Sequence, residues 1–296
     1  MRTFVRTSLA FAFAATLAPA LAADNWSQPQ APIHLYGNSY YVGSAGLSSV
    51  LIDSGDGLVL LDGTLPKNAP MIEAHIRALG FRLEDVKYIL NSHAHFDHAG
   101  GIAALARDTA ATVVVSASGA QALRAGRAVA DDPQAAFKDA GFPPVTTPIR
   151  EIADGEALRL GNVAITAHFT PGHTPGSTTW TWRSCEKQRC LDFVYGDSIN
   201  AISAPGFHFL ADQTHGDLVP RIRQSIATLA ALPCDILVPV HPDSIGLDRK
   251  LARIAGGEAK PDSLVDTHAC RDYAAQFTRV LDQRIAREKA EAAAKR

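Results

Sequence analysis

Hydrophobic and polar positions follow two alternating patterns along this chain. Between Leu35 and Gly63, short apolar runs (SYYVG, SSVLIDS, GLVLLDG) are separated by glycine turns such as Gly55-Asp56-Gly57, which predicts a meander of antiparallel strands. Pro70 then opens a helical pattern, with Met71, Ile72, Ile76 and Leu79 near helical spacing and Gly80 as its stop. VKYILNS, residues 86–92, reads as a buried strand. A helix is expected from about Gly100 through IAALARD, and ATVVVSA reads as the next strand. The polar stretch from Gln121 to Val145, mixed in Ala, Pro and Gly, predicts a helix and a loop.

From residue 151 the same grammar repeats. EALRLG, VAITAHFT, STTWTW and LDFVYG read as strands, RIRQSIATLAAL as a helix and DILVPV as a strand, and Arg271 to Arg296 forms one long charged helical pattern. Two similar halves, about 35–150 and 151–296, predict an α/β chain with two sheets packed face to face and helices outside, forming a single domain over 23–296.

Composition narrows the function. The formal net charge of -2 over 296 residues, with no dense Lys/Arg block before the last few residues, leaves no electrostatic footprint for nucleic acid or an anionic membrane. A small-molecule substrate is favoured. At the start, Arg2 and Arg6 precede an apolar run that ends in Ala20, Leu21 and Ala22, the pattern of a signal peptide over 1–22. A membrane anchor is the competing reading, but the run is short and contains Pro19. A cleaved, periplasmic protein without membrane attachment is therefore expected, as a monomer.

Export permits disulfides, and the four cysteines allow three pairings. Cys185 and Cys190 flank the polar EKQR between two strand-like stretches, which suits a bridge across a hairpin mouth; Cys234 would then pair with Cys270. A cysteine-only zinc site is the rival, but neither pair has the close spacing of a zinc knuckle.

The chemistry concentrates in NSHAHFDHAGG, which lies between a strand and a helix and bunches three imidazoles and a carboxylate on one loop. His93 and His95 are two apart, so in extended backbone they point to one side and can chelate a single ion. Asp97 and His98 remain for a second. Two ions need about six protein ligands. His173 in FTPGHTPGS and His241 in LVPVHPDS, each at a strand end and hemmed by Pro or Gly, supply the missing two. His34, His75, His168, His208, His215 and His268 lack that setting and read as surface or packing residues.

HxHxDH, TPGHTPGS and a late PxHP on a strand end resemble the metallo-β-lactamase superfamily. NSHAHFDHAGG, HFTPGHTPGSTTWTWRSC, VYGDSINAISAPGF and LPCDILVPVHP sharpen the resemblance to class B metallo-β-lactamases, subclass 3, over nearly all of the mature chain. The resemblance implies a four-layer αββα sandwich and two Zn2+ ions, with His93, His95 and His173 on the first and Asp97, His98 and His241 on the second. It also implies substrate contacts from Ser198 and Asn200, with Ser203 as a weaker candidate, and matches the Cys234–Cys270 bridge.

The implied activity is hydrolysis of the lactam amide of penicillins, cephalosporins and carbapenems by a zinc-activated water that Asp97 orients. The sequence has no G-x-S-x-G elbow, which argues against a covalent serine hydrolase. Lactonases and glyoxalase II-like thioesterases share the scaffold and use a GD motif whose Asp bridges both metals, and this chain has Gly196-Asp197. Asp197 and Asp62 are read as carboxylates outside the metal shell. A non-catalytic zinc-binding protein is the reading from another class.

Overall fold

The computed structural model describes residues 25–260 and 262–294. The signal-peptide segment 1–22 lies outside the described residues. Seven strands form the first sheet in the order β1 (Ile33–Tyr36), β2 (Ser39–Tyr41), β3 (Val50–Asp53), β4 (Leu58–Leu61), β5 (Val86–Leu90), β6 (Thr112–Val115) and β7 (Ile149–Glu151). Up to β4 the neighbours run antiparallel, as the glycine turns predicted. From β4 to β7 they run parallel, joined by crossovers that carry α1 (Ala69–Ala78), α2 (Phe96–Ala99), α3 (Ile102–Thr109) and α4 (Ala117–Ala125).

The second sheet has five strands: β8 (Ala157–Leu160), β9 (Val163–Phe169), β10 (Thr178–Glu186), β11 (Arg189–Gly196) and β12 (Ile236–Pro239). Their spatial order is the reverse, β12-β11-β10-β9-β8, with only β11 and β12 parallel. Helix α5 (Val219–Ala231) crosses between those two, α6 (Leu247–Arg253) follows β12, and α7 (Ala269–Ala294) closes the chain.

The strand pattern explains the four layers. In β3 and β4, Val50, Ile52, Val59 and Leu61 point into the core between the sheets, where they meet Trp180, Phe193, Tyr195 and Val238. Leu51, Leu58 and Leu60 point the other way, onto Ile72, Ile76, Ile102 and Leu105 of α1 and α3. Strands buried on both faces read as unbroken apolar runs, which is why VLID and LVLL show no polar alternation. Helices α5 and α7 cover the outer face of the second sheet through Ile222, Leu229, Tyr273, Phe277 and Leu281.

Both disulfides form as expected, Cys185–Cys190 across the β10–β11 hairpin and Cys234–Cys270 from the end of α5 to the start of α7. Among the described residues no helix is long and apolar enough to cross a membrane. The sequence pattern missed β1, β7 and α6, all seven residues or shorter.

Candidate metal centre

One edge of the sandwich gathers the chemistry. There β5 ends and hands the chain to His93, His95, Asp97 and His98; the β9–β10 turn presents His173; β11 ends at Gly196 before Asp197; and β12 ends before His241. The turn holding His173 depends on Gly172, whose φ is +149° and where a Cβ would come within 2.6 Å of Ile222 Cγ1. Thr178 N donates to the Ser92 carbonyl at 2.8 Å, and Trp180 Nε1 donates to that of Asn91 at 3.2 Å. The loops of the two sheets are thereby locked together.

Hydrogen bonding fixes which nitrogen each imidazole has left to offer. His173 Nδ1 lies 2.9 Å from the backbone carbonyl of Asn200, which can only accept, so Nδ1 carries the proton and Nε2 bears a lone pair. His93 Nδ1 lies 2.6 Å from Asp197 Oδ1, and His93 Nε2 is buried without a partner. His95 Nε2 donates toward both oxygens of Asp132 at 3.1 and 3.2 Å, which frees Nδ1. One ligand atom from each of His93, His95 and His173 falls within 4.8 Å of the others. Three lone pairs facing one another in a buried space repel unless a cation lies between them.

A second convergence adjoins the first. His98 Nε2 and His241 Nε2 are 3.2 Å apart, and Asp97 Oδ2 lies 3.2 Å from the former and 3.5 Å from the latter. Tetrahedral ligands on bonds of about 2.1 Å are separated by about 3.4 Å, so this triangle already has the shape of a zinc coordination face. His93, Asp97 and His98 also offer atoms within 4.8 Å. By distance His93 belongs to both groups, while His241 Nε2 completes the tighter triangle with Asp97 Oδ2 and His98 Nε2. An all-imidazole set beside a two-imidazole, one-carboxylate set suits a borderline cation.

Electrostatics agree with a site built for positive charge. Burial first, then the neighbouring imidazoles, pushes His173 down to about 3 and His241 to about 4, and holds His93 well below the usual imidazole range. Burial opposes charge on Asp97 too, but His98 and His241 keep its carboxyl below the usual carboxylate range. His93, His173, His241 and Asp97 are thus deprotonated and ready at neutral pH, whereas at His98 burial is outweighed by Asp97, Asp62 and Asp197, which push it above the usual imidazole range. Burial pushes the Asp197 carboxyl up to about 8.

Strained backbone supports the site from beneath. Asp62, at φ +60°, accepts from Ser92 N at 2.7 Å, Ser92 Oγ at 2.6 Å, Asn91 Nδ2 at 2.9 Å and Tyr195 OH at 3.0 Å, and its Oδ2 lies 3.9 Å from His98 Nδ1.

Comparison with known proteins follows from this geometry. Residues 43–185 match the model of the metallo-β-lactamase superfamily. The structure is similar to that of MEM-A1, a subclass B3 metallo-β-lactamase from a soil metagenome library, with a TM-score of 0.85 and 46% identity over 90% of this chain and 100% of that one. It is equally similar to the Rm3 metallo-β-lactamase, at TM-score 0.85 and 48% identity over 92% and 99%. The chain belongs to the subclass B3 metallo-β-lactamases.

Among curated proteins it is similar to a hydroxyacylglutathione hydrolase of Anaeromyxobacter dehalogenans, 32% identical over 145 residues, 49% of this chain and 42% of that one. The chain spans about half the length of the curated relatives it matches. Within this B3 frame, all six residues expected as ligands meet at one edge. Asp197 lies behind His93, 2.6 Å from the Nδ1 that faces away from the convergence. Ser198 and Asn200 lie on the loop after β11, whereas the Ser203 hydroxyl is taken up by Arg284 Nη2 at 2.9 Å.

Sequence reasoning missed three contributors. Asp132 and Gln134 come from the polar stretch after α4; Gln134 Nε2 lies 3.3 Å from His173 Nε2. Trp26, from the Pro/Gln-rich arm, places its ring 5.5 Å from that of His241. No local pattern marks them, because each acts through contacts more than 35 residues away in the chain.

Proposed function

We propose that this protein is a periplasmic, two-zinc β-lactamase that opens the lactam amide of penicillins, cephalosporins and carbapenems. The observation that carries the proposal is the pair of adjacent donor clusters, three imidazoles beside an Asp97, His98 and His241 triangle with zinc-like edges, in a chain of which 90% aligns with the whole of a B3 enzyme.

His93, His95 and His173 would hold one ion and Asp97, His98 and His241 the other. When bound, the metals supply Lewis acidity toward the lactam carbonyl and departing nitrogen, and an activated water. Asp97 would orient that water through its carboxylate. Asp197, Asp132 and the Asn200 carbonyl fix the tautomers of the three imidazoles, so these donors need no rearrangement when metal arrives. Ser198 and Asn200 would meet the substrate carboxylate or an ordered water. Ser203 contributes by holding the loop rather than by reaching the substrate. The alternative in which Asp197 bridges both metals is disfavoured by its place behind His93.

The direct test is turnover of a penicillin, a cephalosporin and a carbapenem by purified protein, with loss of activity in chelator and recovery on adding zinc. Failure of the zinc-loaded protein on all three would overturn the proposal.

A further inference from the structure

The segment between β11 and α5, residues 197–218, has no regular element, yet it carries Ser198, Asn200 and the carbonyl that orients His173. What holds it lies on the far side, on α7. Along that helix Tyr273, Phe277 and Leu281 form an apolar stripe against the second sheet, and the stripe continues to Glu288, only 4% exposed. A carboxylate there is costly unless every lone pair is matched.

It is matched by the loop itself. Glu288 accepts from Phe209 N at 2.9 and 3.0 Å and from Leu210 N at 2.9 Å. Arg284, one turn earlier, donates through Nε to Glu288 Oε1 at 2.6 Å and through Nη2 to Ser203 Oγ at 2.9 Å and the Phe207 carbonyl at 2.7 Å. Its guanidinium sits 5.1 Å from the centre of the Phe209 ring. Burial opposes the charge, but the backbone donors and Arg284 hold the Glu288 carboxyl below its usual range.

The grip extends to the other side of the mouth. Ala204 N donates to the Pro133 carbonyl at 2.9 Å, next to the Asp132 that orients His95 and the Gln134 beside His173. All three groups that orient imidazoles in the first cluster therefore lie on loops tied to this pair, Asp197 and the Asn200 carbonyl on the 197–218 segment and Asp132 next to Pro133.

We propose that Arg284 and Glu288 are positioning residues: they clamp the 199–210 loop from α7 and so set substrate affinity and the seating of His173. A leucine at 288 would extend the apolar stripe but leave the Phe209 and Leu210 amides unpaired and the loop free to shift. The kinetic arm of this inference rests on the β-lactamase reading; the arm that follows the loop does not.

The test uses the zinc-loaded mature chain in three forms: wild type, Glu288→Gln, and Ile76→Ala, which weakens the core beneath α1, a cluster that contains neither α7 nor the loop. For Glu288→Gln, KM for a carbapenem should rise about tenfold while kcat stays within about twofold. Amide exchange at Phe209 and Leu210 should quicken about tenfold or more. Ile76→Ala should lower the melting temperature at least comparably but leave KM and the two amides as in wild type. Equal KM in all three forms, or an equal rise in both variants, overturns the clamp. Should Glu288→Gln not fold, Arg284→Lys, which keeps the charge but loses the fork, is to show the same KM rise in weaker form, and an unchanged KM there also overturns it. A wild type inert on every β-lactam refutes the β-lactamase reading alone, and amide exchange at Phe209 and Leu210 still decides the clamp.

Discussion

The ladder formed by β10 and β11 has two ends that look alike in composition and differ in chemistry. At one end lie Thr178, Gly196 and the imidazole clusters; at the other lie the Cys185–Cys190 bridge and a cavity of about 490 Å3 lined by His34, Glu186, Lys187, Arg189, Lys260 and Asp262 among others. The second end thus has a cavity of its own and no shortage of charge. Four of its groups, however, are already engaged: Arg189 pairs with Asp262 at 2.6 Å, Glu186 accepts from Gly37 N at 2.9 Å and His34 meets the Gly37 carbonyl. It even holds the spacing Ser184-x-x-Lys187, formally that of a serine hydrolase pair, but Ser184 Oγ is tied to the Tyr36 carbonyl at 2.9 Å and to the Asn38 side chain. A reactive end is distinguished by buried imidazoles and carboxylates that converge on one another, not by the presence of a cavity.

The largest expected effect breaks the reactive end directly. His173→Ala removes one of three lone pairs from the first cluster, and kcat/KM should fall by about a thousandfold or more, with one metal fewer per chain by elemental analysis. His75→Ala is the contrast, since His75 Nδ1 meets the Val42 carbonyl at 2.8 Å and faces no other imidazole. It should cost about 1 kcal/mol of stability and leave turnover unchanged. Comparable losses in the two variants would undo the distinction between histidines that pack and histidines that converge.

A subtler cut leaves every ligand in place. Asp132→Asn keeps the size of the side chain that holds His95 Nε2 but withdraws its charge, so His95 loses both orientation and basicity. Zinc affinity, measured by competition with a chromophoric chelator, should drop about 10- to 100-fold. An unchanged affinity would mean that the His93 and His173 supports suffice.

These two experiments also mark how far the sequence could be read. His93, His95, Asp97 and His98 lie within six residues, and TPGHTPGS and PVHP carry their strand ends beside them, so six donors could be named from local pattern. The two sheets were legible for the same reason: runs such as VLID and LVLL are short, apolar and bounded by glycine. Asp132, Gln134 and Trp26 were not, because what they do is decided by where distant segments come to rest. Arg284 and Glu288 are hidden in another way. Four apart on a charged helix, they look like an exposed pair, and only the docking of α7 turns that face inward.

Acidity should separate the ends next. In the metal-free protein His173 and His241 have folded values of about 3 and 4, against about 6.5 when unfolded. As pH falls below about 6.5 the unfolded chain takes up protons that these two folded imidazoles refuse, so stability is lost with acid across the window from about 6.5 down to about 4. The urea midpoint of the metal-free protein should therefore fall between pH 7 and pH 5, and the fall should flatten in the His173→Ala, His241→Ala double variant. An equal slope in both would assign the acid sensitivity elsewhere.

The smallest effect is expected from the far end. Cys185 and Cys190 are register partners five residues apart, so their bridge closes a loop that the β10–β11 ladder already holds shut. On loop-closure entropy it contributes at most about 2 kcal/mol, whereas Cys234–Cys270, across 36 residues and joining α5 to α7, contributes up to about 4 kcal/mol. Replacing Cys185 and Cys190 together by serine should lower the denaturation midpoint slightly and leave kcat, KM and zinc content unchanged. Replacing Cys234 and Cys270 should lower the midpoint more, and because Cys270 starts the helix that carries Glu288, KM should drift upward with it. If the hairpin pair instead proved the more disruptive for turnover, strain at the bridge would have to travel the length of β10 and β11 to Thr178 and Asp197, and the two ends could no longer be treated as separate.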